Sequence, residues 1–455
     1  MDRLAKQPIL DVIGVGIGPF NLGMAALLEK TDCRSLFFEK KPTFEWHPGM
    51  LLEGTTLQVP FMADVVTMAD PTSPYSFLNY LHEQQRLYQF YFFEKFQIPR
   101  SEYNHYCQWT ASKLEELRFG CEVENIELGE DGVYQVTVFN HEENERKMHQ
   151  ARHVVMGTGT RPSVPKSLRA SLEEKVFHSS QYKQKSESVL NEKSITVVGS
   201  GQSAAEIFYD LLQKQPDYEY QLAWYTRSKG FYPMEYSKLG LEHFSPDYTK
   251  YFYGLDAHKK QQVLKNQALL YKGISAGTIA DIYDLLYERT ACGRSANVQL
   301  QALTEVTSIE KQTDGYSLSL YQVEEEKAVQ TETGAVILAT GYESFEPDCI
   351  EGLNTLLERD DNGQLVIEED YRVRLTTASE NHVFIQNGEL HTHGVGAPDL
   401  GLGAFRNATI INQIAGKEVY KTYDNQVFQT FGINNDTRKD EADHGKFISK
   451  ELARI

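Results

Sequence analysis

Three observations in this 455-residue chain predict an α/β fold. A short apolar strand runs into Gly14 and Gly16 and continues as the helix-patterned NLGMAALLEK. A second strand, ITVV, enters Gly199 and Gly201 in the same manner, and two further apolar strands end in the pairs Thr158-Gly159 and Thr340-Gly341. Such turns let backbone approach a pyrophosphate, whose charge then faces the N-terminus of the following helix. The expected architecture is two Rossmann-like dinucleotide-binding domains with a small, mostly helical insertion.

Bulk properties narrow the class. The length suits two or three domains with a sizeable core. Hydrophobic residues at 41% and charged residues at 24% are those of an ordinary globular protein. A net charge of -19 disfavours nucleic acid or an anionic membrane as a main partner, and it attracts cations as far as salt screening allows. The opening MDRLAKQPILDVIG lacks an apolar signal core, and no apolar run approaches the ~18 residues of a membrane span, so a cytoplasmic protein is expected. Cys33, Cys107, Cys121, Cys292 and Cys349 form no C-x-x-C and no Cys/His cluster. That pattern argues against a redox dithiol and a structural metal site, and leaves small-residue packing as their role.

The first unit opens with DVIGVGIGPFNLG, Asp11–Gly23, where Pro19 stands in place of the third glycine of the usual fingerprint. Strand Ser35–Glu39 follows, and Glu39 lies twenty-five positions beyond Gly14. An acid at that point holds a ribose hydroxyl pair and rejects a 2′-phosphate, so FAD and NAD both qualify. Residues 44–77 read as an ordered active-site loop in which Trp46 and His47 can wall a flat cofactor. Residues 77–118 read as helical, with the aromatic run Tyr88–Phe93 as a core face. Strands are expected near 122–127 and 134–138.

The second fingerprint, Ile195–Glu206, is complete: Gly199, Gly201 and Ala204 satisfy G-x-G-x-x-[G/A] between a strand and a helix. Its next strand, Leu222–Thr226, ends at Arg227, a cation suited to a 2′-phosphate. One unit ending in Glu39 and another ending in Arg227 imply FAD plus NADPH. Residues 231–290 form the helical insertion over the nucleotide sites. The glycine-rich stretch 391–412 suits a second backbone approach to the flavin, with His391 and His393 as hydrogen-bonded loop histidines and no metal site. The expected domains are 1–187 with 342–435 for FAD and 188–341 for NADPH, followed by a polar tail, 436–455.

GVGIGPFNL, FEWHPGM, DPTSPYSFLNYL, VVGSGQSAAE, ATGY and the HG-rich loop, in this order, resemble the microbial siderophore N-hydroxylating monooxygenases. These are the lysine N6-, ornithine N5- and diamine N-hydroxylases, and Pro19 is usual among them. The resemblance runs from about Asp11 to Asn412. It implies FAD on Gly14, Gly16, Gly18, Pro19, Phe20, Asn21 and Leu22, its ribose at Glu39, with Trp46, His47, Gln58, Val123, Leu400, Gly401 and Leu402 around it. NADPH is implied at Gly199, Gly201, Gln202, Ser203, Ala204 and Arg227. The implied cycle reduces FAD with NADPH, forms a C4a-hydroperoxyflavin with O2, and passes oxygen to an amine. The flavin carries that chemistry, so no catalytic side chain is expected. A homo-oligomer, tetramer or dimer, is carried over with the resemblance.

Two departures bear on the substrate. Amino-acid hydroxylases of that family place a lysine in F-L-K-D to pair the substrate carboxylate, and Ala63 occupies that position. Ornithine hydroxylases place an asparagine in N-E-I-F, and the matching stretch begins at Leu241. A carboxylate buried there has no partner. The expected substrate is therefore an amine without a carboxylate: putrescine, cadaverine, 1,3-diaminopropane or histamine, with Glu242, Glu389 and Asp399 as partners for a distal ammonium. The alternative is lysine or ornithine hydroxylation with Lys238 or Lys272 as a relocated anchor. A Baeyer–Villiger-type monooxygenase shares the two-nucleotide plan but lacks FEWHPGM and DPTSPYSF. A degenerate nucleotide-binding sensor is hard to reconcile with intact Gly14, Gly16, Gly199, Gly201 and Arg227.

Overall fold

A computed structural model describes residues 8–433. The expected tail, 436–455, lies outside the described residues. The first sheet comprises β1 (Leu10–Val15), β2 (Ser35–Glu39), β3 (Leu117–Phe119), β4 (Cys121–Leu128), β5 (Tyr134–Asn140) and β6 (Glu145–Met156). Their order is β3-β2-β1-β6-β5-β4, and a late strand, Val383–Ile385, joins β6. The pairs around β1 are parallel, whereas β4, β5 and β6 pair antiparallel. From Val12 to Val15 β1 is buried on both faces and carries no polar side chain, while β5 alternates because one of its faces meets water.

The chain leaves this unit through β7 (Thr160–Pro162) and builds a five-stranded parallel sheet. Its strands are β8 (Val176–His178), β9 (Ser194–Val198), β10 (Gln221–Tyr225) and β11 (Val298–Gln301), with Ala335–Leu338 between β9 and β8. β12 (Thr304–Gln312), β13 (Gly315–Gln322) and β14 (Lys327–Thr333) form an antiparallel meander that leads into β15 (Ala335–Leu338). β16 (Tyr342–Ser344) pairs β7 as the chain returns, and β17 is the late strand Val383–Ile385 of the first sheet. β7 and β16 thus mark the crossing between the units.

Three expectations are corrected. The boundary after 187 falls too late: Val176–His178 pairs β15, and Tyr182 and Val189 belong to the core of the second unit. β3 occupies the end of the stretch read as helical to 118, after helices Phe77–Glu83, Leu87–Phe93 and Arg100–Ala111. The aromatic run is not a core face. The helix Leu87–Phe93 has no buried residue, and Tyr88, Tyr91 and Phe92 are 80%, 72% and 72% exposed. Phe90 packs inward, edge-on to Phe61 at 5.0 Å. Aromatics crowded at consecutive positions of a seven-residue helix cannot share one face.

The insertion is helical as expected, with Lys238–Leu241, Pro246–Tyr253, Ala257–Asn266, Ala268–Tyr271 and Ala276–Thr290. Tyr248 and Phe252 pack with Val395, so the insertion sits on the returning glycine-rich segment of the first unit. No helix among the described residues is long and apolar enough to cross a membrane.

Candidate active site

The first turn is built by close contact. A Cβ at Gly14 would stand 2.0 Å from the Phe37 ring, and Gly16 takes φ +82 against the Gly157 carbonyl. Both positions therefore require glycine. Gly18, in contrast, faces open space. It precedes the helix Pro19–Leu28, where proline loses nothing because first-turn N–H groups have no partner inside the helix. Asn21 is fully buried and donates to the carbonyls of Val15 and Gly16, tying the helix to the turn. At the end of β2, the Glu39 carboxylate accepts the Ile17 and Lys41 N–H groups at 2.9 and 3.0 Å.

The second turn repeats this design. Gly199 lies against the Ala339 carbonyl, whose oxygen would stand 2.1 Å from any added Cβ, and Gly201 faces open space before the helix Gln202–Tyr218. Ala204 is fully buried, which explains a small residue there.

Both turns open into one cleft of about 1370 Å³, above the ~300–1,000 Å³ of a single small-molecule site. Ile17–Phe20, Glu39, Trp46, His47, Gln58 and Leu400 line one part; Gly199–Ser203 and Arg227 line the other. Both Thr-Gly pairs, 158–159 and 340–341, border it as well. Trp46 packs edge-on to Tyr103 at 5.1 Å, and His47 meets Tyr342 at 5.6 Å. Withdrawal from water between these walls, helped by the positive charges of Arg100 and Lys41, holds the His47 pKa down to about 4. His47 is neutral at physiological pH.

Several sequence expectations separate here. Val123 packs in the apolar core behind the first sheet and does not line the cleft. Leu241 is 37% exposed on a short helix outside it. The Glu242 carboxylate accepts the backbone N–H groups of Phe428 and Gln429 at 3.0 and 2.9 Å, which fastens a terminal segment. Glu389 is fully buried against Arg406, with 3.0 Å between Nε and Oε1. His391 and His393 hydrogen-bond the carbonyls of Leu365 and Glu369. Asp399 alone of the three acids remains beside the cleft. It stands between the lining residues Pro398 and Leu400, its Oδ1 accepts the Gly401 N–H at 2.8 Å, and no ion pair among the described residues engages it. Loss of hydration raises its pKa to about 6. Ala63 is buried next to Gly401, with 3.9 Å from its Cβ to one built on that glycine.

A model of the L-lysine 6-monooxygenase/L-ornithine 5-monooxygenase family matches residues 8–344. The chain belongs to this family. A putrescine N-hydroxylase of Shewanella oneidensis is 46% identical over 94% of this chain and 85% of its own. A putrescine N-hydroxylase of Acinetobacter baumannii is 40% identical over 94% of each chain. Among solved structures, the FAD-bound cadaverine monooxygenase DfoA of Erwinia amylovora matches with TM-score 0.90 at 41% identity, over 94% of this chain and 99% of that one. An ornithine N-hydroxylase of Kutzneria, solved with reduced FAD, NADP+ and L-ornithine, matches with TM-score 0.85 at 28% identity, over 90% of this chain and 99% of that one.

The cleft of this N-hydroxylating monooxygenase fits two dinucleotides on its own chemistry. Gly18 and Gly201 leave room for close backbone approach at two helix N-termini, where phosphates are favoured. Gln58 lines the cleft, and its buried Nε2 has no acceptor within the described residues, so it can donate to a flavin ring. Arg227 is joined in the lining by a second cation, Lys272. Tyr342 and Asn387 were missed as cleft residues, and Lys272 was weighed only as a relocated carboxylate anchor. Only Tyr342 had a local signal, in ATGY.

Proposed function

We propose that this monooxygenase N-hydroxylates a primary alkyl diamine of the putrescine–cadaverine type, for a hydroxamate siderophore, with FAD at the first turn and NADPH at the second. The overall change is amine, O2, NADPH and a proton to hydroxylamine, water and NADP+. The observation that carries this reading is what surrounds Gly401 at the cleft's edge: a buried, apolar Ala63 on one side and the Asp399 carboxylate that caps it on the other, where an amino-acid substrate would need a cation. The named diamine relatives point the same way.

Gly14 to Leu22 and Glu39 hold the adenine half of FAD, while Trp46, His47, Gln58 and Leu400 to Leu402 surround its ring. Gly199 to Ala204, Arg227 and Lys272 hold NADPH. Bound FAD supplies the electron transfer and oxygen chemistry. The protein's part is to exclude water and present a neutral amine. An alkylammonium of pKa ~10.4 costs roughly 4–5 kcal/mol to deprotonate at pH 7. Desolvation in the cleft lowers that cost, while Asp399 keeps the distal ammonium charged.

Lysine or ornithine hydroxylation is the second reading, and Lys272 in the cleft lining favours it. Hydroxylamine yield against a panel of diamines, histamine, lysine and ornithine separates the two. Putrescine or cadaverine leading the panel supports the diamine reading. Lysine or ornithine exceeding every decarboxylated amine rejects it.

A further inference from the structure

The two nucleotide units meet across a buried ion pair that the chemistry above does not use. Arg100, at the start of the helix Arg100–Ala111, donates from Nη1 to Glu206 Oε2 at 2.8 Å and from Nη2 to Oε1 at 2.7 Å. The side chains are 11% and 4% exposed. The same guanidinium also donates to the Met50 carbonyl at 2.9 Å. Glu206 lies one turn inside the helix that opens at the second fingerprint. Gln202, within that fingerprint, donates to Glu206 at 2.9 Å and to Thr278 at 3.0 Å, and it accepts the Ser275 N–H at 2.7 Å. One connected network thus joins the first unit, the NADPH turn and the insertion.

Next to it the backbones interlock. Gly49 packs so tightly that a Cβ would stand 1.9 Å from the Ser180 carbonyl, and Met50 enters the core of the second unit.

We propose that Arg100, Glu206 and Gln202 act as positioning residues that set the angle between the NADPH and FAD units for hydride delivery. The inference rests on FAD and NADPH occupying the two turns. An apolar seam would hold the units together without the desolvation cost of two buried charges. What the ion pair adds is geometry, because a bidentate fork fixes direction as well as distance. Direction matters here, since a misplacement of about 1 Å can cost on the order of a hundredfold in rate.

The test uses the double variant R100M/E206M together with R100K, which keeps the charge but loses the fork. Anaerobic mixing measures flavin reduction at saturating NADPH, with dithionite reduction, FAD content, thermal midpoint and amide exchange over 48–56 as companions. We expect R100M/E206M to keep its FAD and its dithionite reduction, with a midpoint near the wild type. Its reduction by NADPH should fall about tenfold or more, and exchange over 48–56 should rise. R100K should fall in the same direction. Wild-type reduction rates in both variants, or unchanged exchange in both, overturn the inference. A wild-type protein that NADPH cannot reduce rejects the assignment of the second turn instead, and the exchange arm still reads the seam.

Discussion

Asp399 is held with a pKa of about 6, against an ordinary 3.8. The native state therefore binds more protons than the unfolded state between about pH 4 and 6. The penalty for its charge is fully present above pH 6 and shrinks as pH falls through that window. Asp399→Asn should thus leave the thermal midpoint at pH 7.5 equal or higher, since the amide oxygen can still accept the Gly401 N–H. The KM for putrescine should rise tenfold or more, about 1.4 kcal/mol at the low end. In the wild type, KM should climb as pH drops below 6, and in the variant it should stay high and flat. An unchanged KM in the variant sinks the role given to Asp399. Arg227→Ala should raise KM for NADPH at least tenfold while leaving NADH nearly unaffected, because only the former carries a 2′-phosphate. Glu39 and Arg227 were legible from sequence because each stands at the end of the strand that follows a glycine turn and its helix. Glu242, Leu241 and Val123 were misplaced because which way an insertion helix or sheet face points is decided by tertiary packing, and no local pattern reports it.

At the level of elements, the two turns separate glycines that build the fold from glycines that admit a ligand. Gly14→Ala pushes a methyl into Phe37 between β1 and β2 and should cost about 1–3 kcal/mol of stability, along with FAD. Gly18→Ala meets nothing within 4 Å and should leave the melting transition of FAD-free protein unchanged while weakening FAD binding. Titrating both variants with FAD and melting each without it distinguishes the two roles; equal loss of stability contradicts the distinction. Such turns were readable because a strand, glycines and a helix follow each other within fifteen residues. The aromatic helix Leu87–Phe93 misled for the opposite reason. Aromatic content signals a core only where something covers the face it forms, and Tyr88, Tyr91 and Phe92, at i, i+3 and i+4, share a face turned to solvent. The boundary at 187 failed because β8 pairs with β15, a strand about 160 residues away, and no local composition marks that pairing.

At the scale of the whole molecule, a mixed sheet and a parallel sheet, a crossing at β7 and β16, and an insertion resting on the glycine-rich return enclose one cleft. Stretches from near the two ends of the described residues meet beside it: Asn407 donates to the Phe20 carbonyl at 2.9 Å, and Gln386 donates to Asn21 at the same distance. Asp399 and Ala63, far apart in sequence, both come up against Gly401, a convergence that neither residue announces alone. The central claim is that this cleft selects an amine with no carboxylate. The most direct test is hydroxylamine formed per NADPH oxidised, measured for putrescine and ornithine at equal concentrations. A ratio near one with putrescine and uncoupled oxidation with ornithine is the predicted result. Tight coupling with ornithine and none with putrescine would contradict it.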